Sequence, residues 1–408
     1  DPKGQTSIAY DRIDHKKETS KFYYFKYGPF TIGTARPETK FGDKYVVMHP
    51  EDARYKEYEH GQKITVEWIN GPIEATILKD ETIDMEFGTG VMTITPWHSG
   101  VDFQLAEKYK LDKEQIIDQK GRLLPIAGPD FAGMKITEAR EKIVEKLASK
   151  GLVAKIEDNY VHNIATAERT GGTIEPQIMK QWFVAVNKPF KIPFSNIQGI
   201  EAGSEVTLKQ IMKAAVANGQ VELIPEHYDK TYFHWIDNLN DWCISRQIWY
   251  GHRIPVWYKK EKGENESSEA TKNNGAIIET YCDMVSPKEA GRADADEFTQ
   301  DEDTLDTWFS SGLWTFSTQG WPNAYDTTSG AAKAGTDLAR FHPTNILITG
   351  PDIIFFWIAR MILMTGYAMG TIPFERVYLN GLVRDMQGRK MSKSLGNGGD
   401  PAEISEKY

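Results

Sequence analysis

The sequence predicts an α/β protein, and three observations lead to this fold class. Short runs of aromatic and β-branched residues, separated by glycine, proline and charged turns, are typical of strands. Elsewhere, apolar residues recur at the spacing of amphipathic helices. Near the end of the chain a strand, a helix and a second strand follow one another, which is the pattern of a parallel sheet. The 408 residues are enough for two or three domains.

The first part of the chain, to about residue 153, is predicted to be rich in strands. Its helices are DFQLAEKYKL and TEAREKIVEKLASKG, and in the second Ala139, Ile143, Val144 and Leu147 fall on one face before Gly151. The candidate strands are FYYFKYG, FTIGTA, KYVVMHP, KITVEWI and VMTITP. Residues 1–20 show no core pattern and are assigned to a preceding linker.

The last third of the chain has a more regular pattern. NILITG is predicted to be a buried strand before Gly350, residues 353–367 a helix, and ERVYLNGLV the next strand. Ligands of parallel sheets bind at the carboxyl ends of the strands, so Gly350, Asp352 and the residues after Val383 are predicted to line a binding edge. Upstream, LKQIMKAAVANG is predicted to be a helix, and the polar insert at 259–275 a mobile loop.

Composition excludes several classes of protein. Lysine and arginine total 48 against 58 acidic residues, a formal charge of -10, so any RNA contact must come from local basic patches. The two cysteines, Cys243 and Cys282, cannot build a disulfide framework or a four-thiolate zinc site, and a reducing cytoplasm is expected. The most apolar stretch, residues 353–369, is short and interrupted by Arg360, so no membrane span is predicted.

A loop of lysines, serines and glycines, RDMQGRKMSKSLGNGGDP, follows the last strand, and most loops of this composition are solvated surface. Its centre, Lys390-Met391-Ser392-Lys393-Ser394, resembles the signature loop of the class I aminoacyl-tRNA synthetases. In that family, mobile lysines stabilise the charge that moves onto pyrophosphate when ATP activates an amino acid. The resemblance implies that Lys390 and Lys393 are catalytic and that Met391, Ser392 and Ser394 belong to the ATP-binding loop.

Three further segments resemble the valyl branch of this family in order and spacing: WCISRQIWYGHRIPVWY, DTLDTWFSSGLW and TGPDIIFFWIARM. The resemblance implies that Trp308 and Ile353 line the pocket for the valine side chain, and that Gly350 and Asp352 contact the ATP ribose. Two structural alternatives stay open, since Trp308 also fits a core position and Asp352 also fits the cap of a helix. Magnesium would accompany ATP in the complete enzyme. No zinc site is expected, because the paired cysteines of some relatives are absent.

The resemblance also implies a fold: the second half of a Rossmann-like parallel sheet, carrying an inserted, β-rich α/β editing domain. Residues 1–20 would end the first catalytic half, 21–163 would form the editing domain and 164–380 the second catalytic half. Residues 381–408 would hold the signature loop and the start of the stem. No histidine fits the family's His-x-Gly-His signature and no anticodon-binding domain is evident. We therefore expect an internal fragment that does not activate valine alone.

Two segments resemble the editing motifs of the valyl branch. Such editing removes threonine, since a hydrophobic pocket cannot strongly reject an isostere that adds a hydroxyl. TARPET, with Thr34 and Arg36, resembles the first motif, and FGTGVMTITPWHSGVDF, starting at Phe87, resembles the second. The resemblance implies that Asp102 binds the amino acid's ammonium. It also implies that Thr34 and Arg36 line the site around the terminal adenosine, that Thr95 lies near the amino acid and that Phe87 is substrate-binding.

Two residues depart from the valyl pattern. Thr93 stands where the family usually has a lysine, and Ser99 where it usually has an aspartate. Both hydroxyls can still form hydrogen bonds, so a neutral reader of the substrate side chain is expected. Ser99 and Asp102 also fit the start of a helix, and both interpretations can hold together. No Ser-His-Asp arrangement is evident, so substrate and backbone groups are expected to orient the attacking water.

The leading functional hypothesis is a piece of an enzyme that ligates valine to its tRNA, with hydrolysis of mischarged threonyl-tRNA as its own testable activity. The expected partners are the tRNA for valine, valine and threonine; a cytoplasmic monomer without membrane contact is expected. Two alternatives stay open. A stand-alone deacylase acting in trans would have no use for Trp308, Ile353 and the signature loop. A noncatalytic tRNA-binding fragment would bind tRNA in a salt-dependent way without hydrolysis.

Overall fold

The computed structural model describes residues 1–408 except 9–12, 169, 261–276, 392–395, 400, 401, 403, 404, 407 and 408. The chain forms two compact units, Asp1–Lys180 and Gln181–Tyr408. Both contain several sheets together with helices, so the predicted α/β class is confirmed. Of the polar insert at 259–275, residues 259 and 260 end a strand and the remainder lies outside the described residues.

The N-terminal unit is built on two sheets. Its strands are β1 (Ile13–Tyr27), β2 (Phe30–Thr34), β3 (Tyr45–Met48), β4 (Lys63–Trp68), β5 (Gly71–Lys79), β6 (Val91–Thr93) and β7 (Val153–Ala167). β2, β1 and β7 form an antiparallel sheet in that order, and β4, β5, β3 and β6 form a mixed one in which β3 runs parallel to β5. Gly28, at φ +57°, makes the tight turn between β1 and β2, a conformation that favours glycine.

The two helices of this unit lie where the sequence predicts them. They are α1 (Gly100–Tyr109) and α2 (Ile136–Ser149), and short 3₁₀ turns lie at Pro37–Gly42, Ala53–Tyr55 and Pro125–Ala127. The predicted face of α2 is buried and packs on the unit's main core, which also contains Phe25, Ile32, Val46 and Ile77. This burial of apolar surface holds the helix against the sheets.

The C-terminal unit contains the predicted parallel strands. Its strands are β8 (Phe183–Val184), β9 (Phe190–Lys191), β10 (Glu205–Val206), β11 (Glu222–Ile224), β12 (Trp242–Cys243), β13 (Ser245–Arg246), β14 (Val256–Lys260), β15 (Ile277–Cys282), β16 (Phe298–Gln300), β17 (Thr304–Leu305), β18 (Tyr325–Asp326), β19 (Ala331–Ala332), β20 (Thr344–Thr349) and β21 (Phe374–Leu379). β11, β21 and β20 form one sheet in that order, and both pairings are parallel. The strand–helix–strand order is therefore confirmed, and Gly350 directly follows the carboxyl end of β20. The prediction that this strand is buried is wrong, because Ile346 and Ile348 are exposed and only Leu347 and Thr349 are buried.

Its helices are α3 (Leu208–Ala217), α4 (Tyr228–Asp237), α5 (Thr307–Gly312), α6 (Trp314–Ser317), α7 (Asp337–Phe341) and α8 (Arg360–Met369), with a 3₁₀ turn at Ala295–Glu297. α3 and α8 approach closely at Gly366, where a Cβ would lie 2.4 Å from the side chain of Ile211. The segment before α8 is not regular α-helix. It consists of a 3₁₀ turn, Pro351–Ile353, and a π-helical turn, Ile354–Ala359.

The helical stretch Pro351–Met369 bears on the prediction that no segment spans a membrane. The sequence predicts no membrane span because this region is short and interrupted by Arg360, yet by length and composition the helical stretch is long and apolar enough to cross a membrane. In the structure 67% of it is buried, and Ile358, Met361 and Ile362 lie within the core of the C-terminal unit. A core helix of a globular unit has the same length and composition, so this stretch is weak evidence for a membrane.

The unit boundaries differ from those assigned to the sequence. β1 begins at Ile13, inside the segment assigned to a linker, and pairs with β7 through Ile13 and Ala167. The first half of β1 exposes both faces, so it carries no alternation of apolar and polar residues. The two units divide after Lys180, whereas the sequence interpretation places the end of the first domain at residue 163.

Candidate functional site

A buried carboxylate at the start of α1 is the centre of the candidate site in the N-terminal unit. Asp102 is 7% exposed, and its Oδ2 accepts a 2.8 Å hydrogen bond from the backbone N–H of Thr95. The Oγ of Ser99, the N-cap of α1, accepts a 3.3 Å bond from the Asp102 N–H. Burial raises the pKa of Asp102, while the Thr95 N–H and the charge of Lys40 counteract it. The helix-start interpretation of Ser99 and Asp102 is confirmed.

Arg36 is held in place by two buried glutamates. Its Nε donates to Glu38 at 3.1 Å and its Nη2 to Glu175 at 2.5 Å, and Glu38 also accepts two 2.8 Å bonds from Arg140. Burial by itself lowers the pKa of Arg36, but the two carboxylates raise it above its ordinary value. The hydroxyl of Thr34 accepts a 2.9 Å bond from the Arg36 N–H. Arg36 is therefore a fixed positive charge, and its side chain remains 30% exposed.

His98 connects this cluster to the segment that follows α1. Its Nε2 accepts hydrogen bonds from the N–H groups of Ile116 and Ile117 at 3.0 and 3.1 Å. A ring nitrogen that accepts carries no proton, so the proton is on Nδ1, which donates to Glu175 at 3.0 Å. One sequence signal points to His98, its position inside the second editing motif, but no signal identifies Glu175 as its partner.

A buried ion pair lies beside Thr93. Lys40 is 6% exposed, and its Nζ donates to Asp43 Oδ1 at 3.3 Å and to Thr93 Oγ1 at 2.9 Å. The hydroxyl of Thr95 lies 3.5 Å from the same oxygen of Asp43. Burial raises the pKa of Asp43 to about 6, although Lys40 and Thr93 counteract it. Sequence reasoning missed this pair; its signal is the lysine and the aspartate that closely follow the TARPET motif.

The cluster unites most of the predicted editing residues. Hydrogen bonds join Ser99 to Asp102, Asp102 to Thr95 and Thr95 to Asp43. Lys40 binds both Asp43 and Thr93 and so adds Thr93 to this network. Arg36 lies beside it and donates to the carbonyl oxygen of His98 at 3.5 Å. The side chain of Phe87, in the turn before β6, is 62% exposed. Asp43, Glu38 and Glu175 each pair with a basic side chain, whereas Asp102 has no ion pair within the part of the chain that the structure describes.

A second candidate site lies at the carboxyl end of β20. The Nζ of Lys390 forms an ion pair with the carboxylate of Asp352, which brings the signature loop to the end of the parallel sheet. A Cβ on Gly350 would lie 2.5 Å from the Asp352 carboxylate and 3.1 Å from Leu382, so only glycine fits there without a shift. The Met391 N–H donates to the carbonyl of residue 383 at 3.3 Å. The predicted Ser392, Lys393 and Ser394 lie outside the described residues.

The predicted pocket residues of the C-terminal unit lie near the π-helical turn. The ring of Trp308 stacks on Phe356, with centroids 5.8 Å apart and planes 22° from parallel. Ile353 is half-buried and ends the 3₁₀ turn before the π-helical turn. A further indole was not singled out from the sequence: Trp357, whose Nε1 donates to the carbonyl of Ser311 at 3.2 Å. π-Helical turns often lie at functional sites.

The described residues show no group of three or more His, Cys, Asp or Glu side chains that could hold a metal ion. Cys243 is half-buried and Cys282 is exposed, and both are free thiols.

A family model described as tRNA synthetases class I (I, L, M and V) matches residues 10–408, nearly the whole chain. The chain belongs to the class I tRNA synthetases. Among curated proteins, it is 39% identical over 417 residues to a valine–tRNA ligase of Clostridium tetani and 40% identical over 414 residues to one of Staphylococcus carnosus. A third valine–tRNA ligase, from Bacillus subtilis, is 39% identical over 414 residues. Each match covers 100% of this chain but only 41% of the relative.

Among solved structures of class I synthetases, a LeuRS of Agrobacterium radiobacter K84, in a ternary complex with tRNA and LeuAMS, matches 96% of this chain and 43% of that chain. The TM-score is 0.30 and the sequence identity is 16%.

Proposed function

We propose that this chain is part of a valine–tRNA ligase and that its N-terminal unit hydrolyses threonine wrongly attached to the tRNA for valine. The relatives at about 40% identity, all named valine–tRNA ligases, support the first statement. In this proposal the N-terminal unit is an editing domain, and the parallel strands β11, β21 and β20 belong to the second half of a Rossmann-like catalytic fold.

The charge of Asp102, which has no ion pair among the described residues, carries the editing proposal. A buried carboxylate is costly unless it is paired, and the other carboxylates of the cluster have basic partners. Asp102 is held by the Thr95 N–H and the Ser99 contact, at the positive end of the dipole of α1. The α-ammonium of a bound aminoacyl ester is a partner of the right charge and size.

The remaining groups fit an ester hydrolysis without an enzyme nucleophile. Arg36, fixed by Glu38 and Glu175 and partly exposed, is placed to bind the anionic or polar end of a terminal nucleotide. Water attacks the ester carbonyl carbon, the bond from that carbon to the ribose oxygen breaks, and the ribose oxygen takes up a proton. Free threonine and uncharged tRNA are the products. Asp102 positions the ester and holds no covalent intermediate.

The C-terminal unit is proposed to bind ATP and valine. Asp352 lies just beyond the carboxyl end of β20, and its carboxylate can accept hydrogen bonds from ribose hydroxyls. Lys390, now paired with Asp352, would bind the phosphates of ATP, a role proposed also for Lys393, and a magnesium ion would accompany the nucleotide. Trp308, Ile353 and Trp357 are proposed to surround the valine side chain. When bound, ATP supplies the free energy that drives activation of the valine carboxylate.

The proposed setting is a cytoplasmic monomer whose RNA partner is the tRNA for valine. Because the formal charge is -10, tRNA must be held by local patches rather than by the overall field.

The test is release of labelled threonine from threonyl-tRNA for valine, with valyl-tRNA as the comparison substrate. We expect selective release by the wild-type chain and loss of at least about a hundredfold in rate with Asp102→Ala, which removes the ammonium's partner. Glu107→Gln is the matched control, because Glu107 lies on the same helix with its side chain 60% exposed.

Equal rates for wild type and Asp102→Ala, with both chains folded, would refute the role of Asp102. Salt-dependent tRNA binding with no release would favour a noncatalytic tRNA-binding fragment. Release by the isolated chain combined with no binding of ATP or valine would favour a stand-alone deacylase.

A further inference from the structure

Lys40 and Asp43 form a buried ion pair whose contribution to stability does not explain why two charges lie there. The side chain of Lys40 is 7% exposed and that of Asp43 is fully buried. Lysine is almost never buried unless it is paired, and a buried pair is often no more stable than apolar residues of the same volume. Burial raises the pKa of Asp43 in spite of Lys40, so the cost of burying this carboxylate is only partly compensated. Stability alone therefore does not account for the two charges, and a functional role is the hypothesis to test.

The pair has hydrogen-bonding capacity left over. An ammonium has three donors, and within the described residues Lys40 uses two, toward Asp43 and Thr93. The second oxygen of Asp43, Oδ2, is buried and has no hydrogen-bond partner among the same residues. One donor and one acceptor thus remain next to each other. A hydroxyl group satisfies both, because it accepts one hydrogen bond and donates another, whereas a methyl group satisfies neither.

The pair lies directly beside the proposed ammonium anchor. Thr93 is the last residue of β6 and Thr95 follows two positions later, and the hydroxyls of both lie beside the ion pair. Thr93 contacts Lys40, and the Thr95 hydroxyl lies 3.5 Å from Asp43, while the Thr95 N–H binds Asp102. Thr95 therefore connects the two carboxylates. An amino acid anchored at Asp102 by its ammonium has its short side chain within reach of the pair.

We propose that Lys40, oriented by Asp43, is the specificity-determining residue that recognises the β-hydroxyl of threonine in this site. The proposal rests on the editing function proposed above. Valine places a methyl group where threonine has its hydroxyl, and that methyl would leave a buried ammonium and a buried carboxylate oxygen without partners. Sites built to bind a hydroxyl reject the analogue that lacks it far more strongly than apolar pockets reject an added group. The reader of the side chain is thus charged, although positions 93 and 99 are neutral.

The experiment compares two adenosine ligands that carry threonine or valine through a non-hydrolysable amide on the ribose. Binding to the whole chain is measured by calorimetry, so the result does not depend on catalysis or on tRNA affinity. We expect wild type to prefer the threonyl ligand by at least about a hundredfold. Lys40→Met, which keeps the length of the side chain, should reduce that preference to less than about fivefold. Lys44→Met is the matched control, because Lys44 is half-exposed and pairs with Glu114.

A second variant separates recognition from damage to the fold. The Lys40 ammonium lies 2.9 Å from the Thr93 hydroxyl, so Thr93→Lys combined with Lys40→Met returns a lysine to the same region from the facing element. We expect this double variant to regain at least tenfold preference for the threonyl ligand. Loss of selectivity in Lys40→Met with recovery in the double variant supports the proposal.

Unchanged selectivity in Lys40→Met overturns the proposal, and so does equal binding of both ligands by wild type. Failure of the editing function has a different signature. In that case wild type binds the threonyl ligand selectively but releases no threonine from threonyl-tRNA.

Discussion

Replacing Glu175 by glutamine tests whether one buried carboxylate fixes both Arg36 and His98. Glu175 is 7% exposed and accepts from Arg36 at 2.5 Å and from His98 Nδ1 at 3.0 Å. A glutamine has one accepting oxygen, and its NH₂ group would face a second donor. Glu175→Gln therefore keeps one of the two hydrogen bonds and replaces the other by an unfavourable contact between two donors.

We expect Glu175→Gln to reduce the local stability of these contacts by about 2 kcal/mol. A hydrogen bond to a charged group contributes roughly 1.5–3 kcal/mol. Breaking a fully buried pair costs more, about 3–5 kcal/mol, because one charge is left uncompensated. That larger value does not apply here, since Arg36 keeps Glu38 as a partner and is 30% exposed. A loss of about 2 kcal/mol corresponds to about a thirtyfold change in an equilibrium constant.

The N–H groups of Ile116 and Ile117 give a local readout of this change. Both donate to His98 Nε2, so their protection from hydrogen exchange depends on the orientation of the ring, which Glu175 at 3.0 Å and the carbonyl of Pro176 at 3.2 Å hold at Nδ1. We expect their protection factors to fall about thirtyfold in Glu175→Gln and further in Glu175→Leu, which accepts neither bond. Glu141→Gln, at an exposed carboxylate on α2, is the control and should leave both amides unchanged.

The same variant should weaken substrate binding more than turnover. Arg36 would lose its orientation, whereas Asp102 and Thr95 would keep theirs, so KM for threonyl-tRNA should rise at least threefold with kcat changed less. Wild-type protection at Ile116 and Ile117 in Glu175→Gln would show that His98 is held by other contacts. That result would refute the role of Glu175 as the residue that fixes both side chains.

Two further predictions concern the charged groups of the two sites. Burial raises the pKa of Asp102 above its ordinary 3.8, so kcat/KM for threonyl-tRNA should fall as the pH drops through a value above 3.8. A pH-rate profile of wild type against Asp102→Asn checks this. Asp352→Asn should change the free energy of unfolding by less than about 1 kcal/mol, because its ion pair with Lys390 is exposed; urea titration measures this. The same variant should weaken ATP binding at least tenfold, which calorimetry measures.

Much of the fold follows from local patterns in the sequence. The apolar face of α2 and the parallel pair β20 and β21 are predictable because their apolar residues repeat at the period of a helix or form a short run rich in β-branched and aromatic residues. β5, GPIEATILK, was not predicted, since its proline, glycine and glutamate weaken the strand signal and only pairing with β3 and β4 makes it a strand. Its conformation is determined by tertiary pairing.

The candidate site was predictable only in part, for a similar reason. Thr34, Arg36, Thr95 and Asp102 lie in motifs that are continuous in the sequence, so the motifs point to them. The contact between Arg36 and Glu175 joins residues 139 positions apart, and that between Lys40 and Thr93 joins residues 53 apart. No local pattern encodes such pairs. Positions 93 and 99 by themselves predict a neutral side-chain reader, and only the folded chain shows that Lys40 contacts Thr93.

The balance of charge in the cluster separates structural from functional carboxylates. Glu38 and Glu175 are joined to Arg36, so their charges are satisfied within the protein and their role is to fix that guanidinium. Asp43 is satisfied at one oxygen only, and Asp102 has no ion pair among the described residues. A threonyl ester brings one ammonium and one hydroxyl, which are the two groups that these carboxylates lack. A valyl ester brings only the ammonium, so in the proposed editing site the arrangement would bind both esters at Asp102 and distinguish them at Lys40 and Asp43.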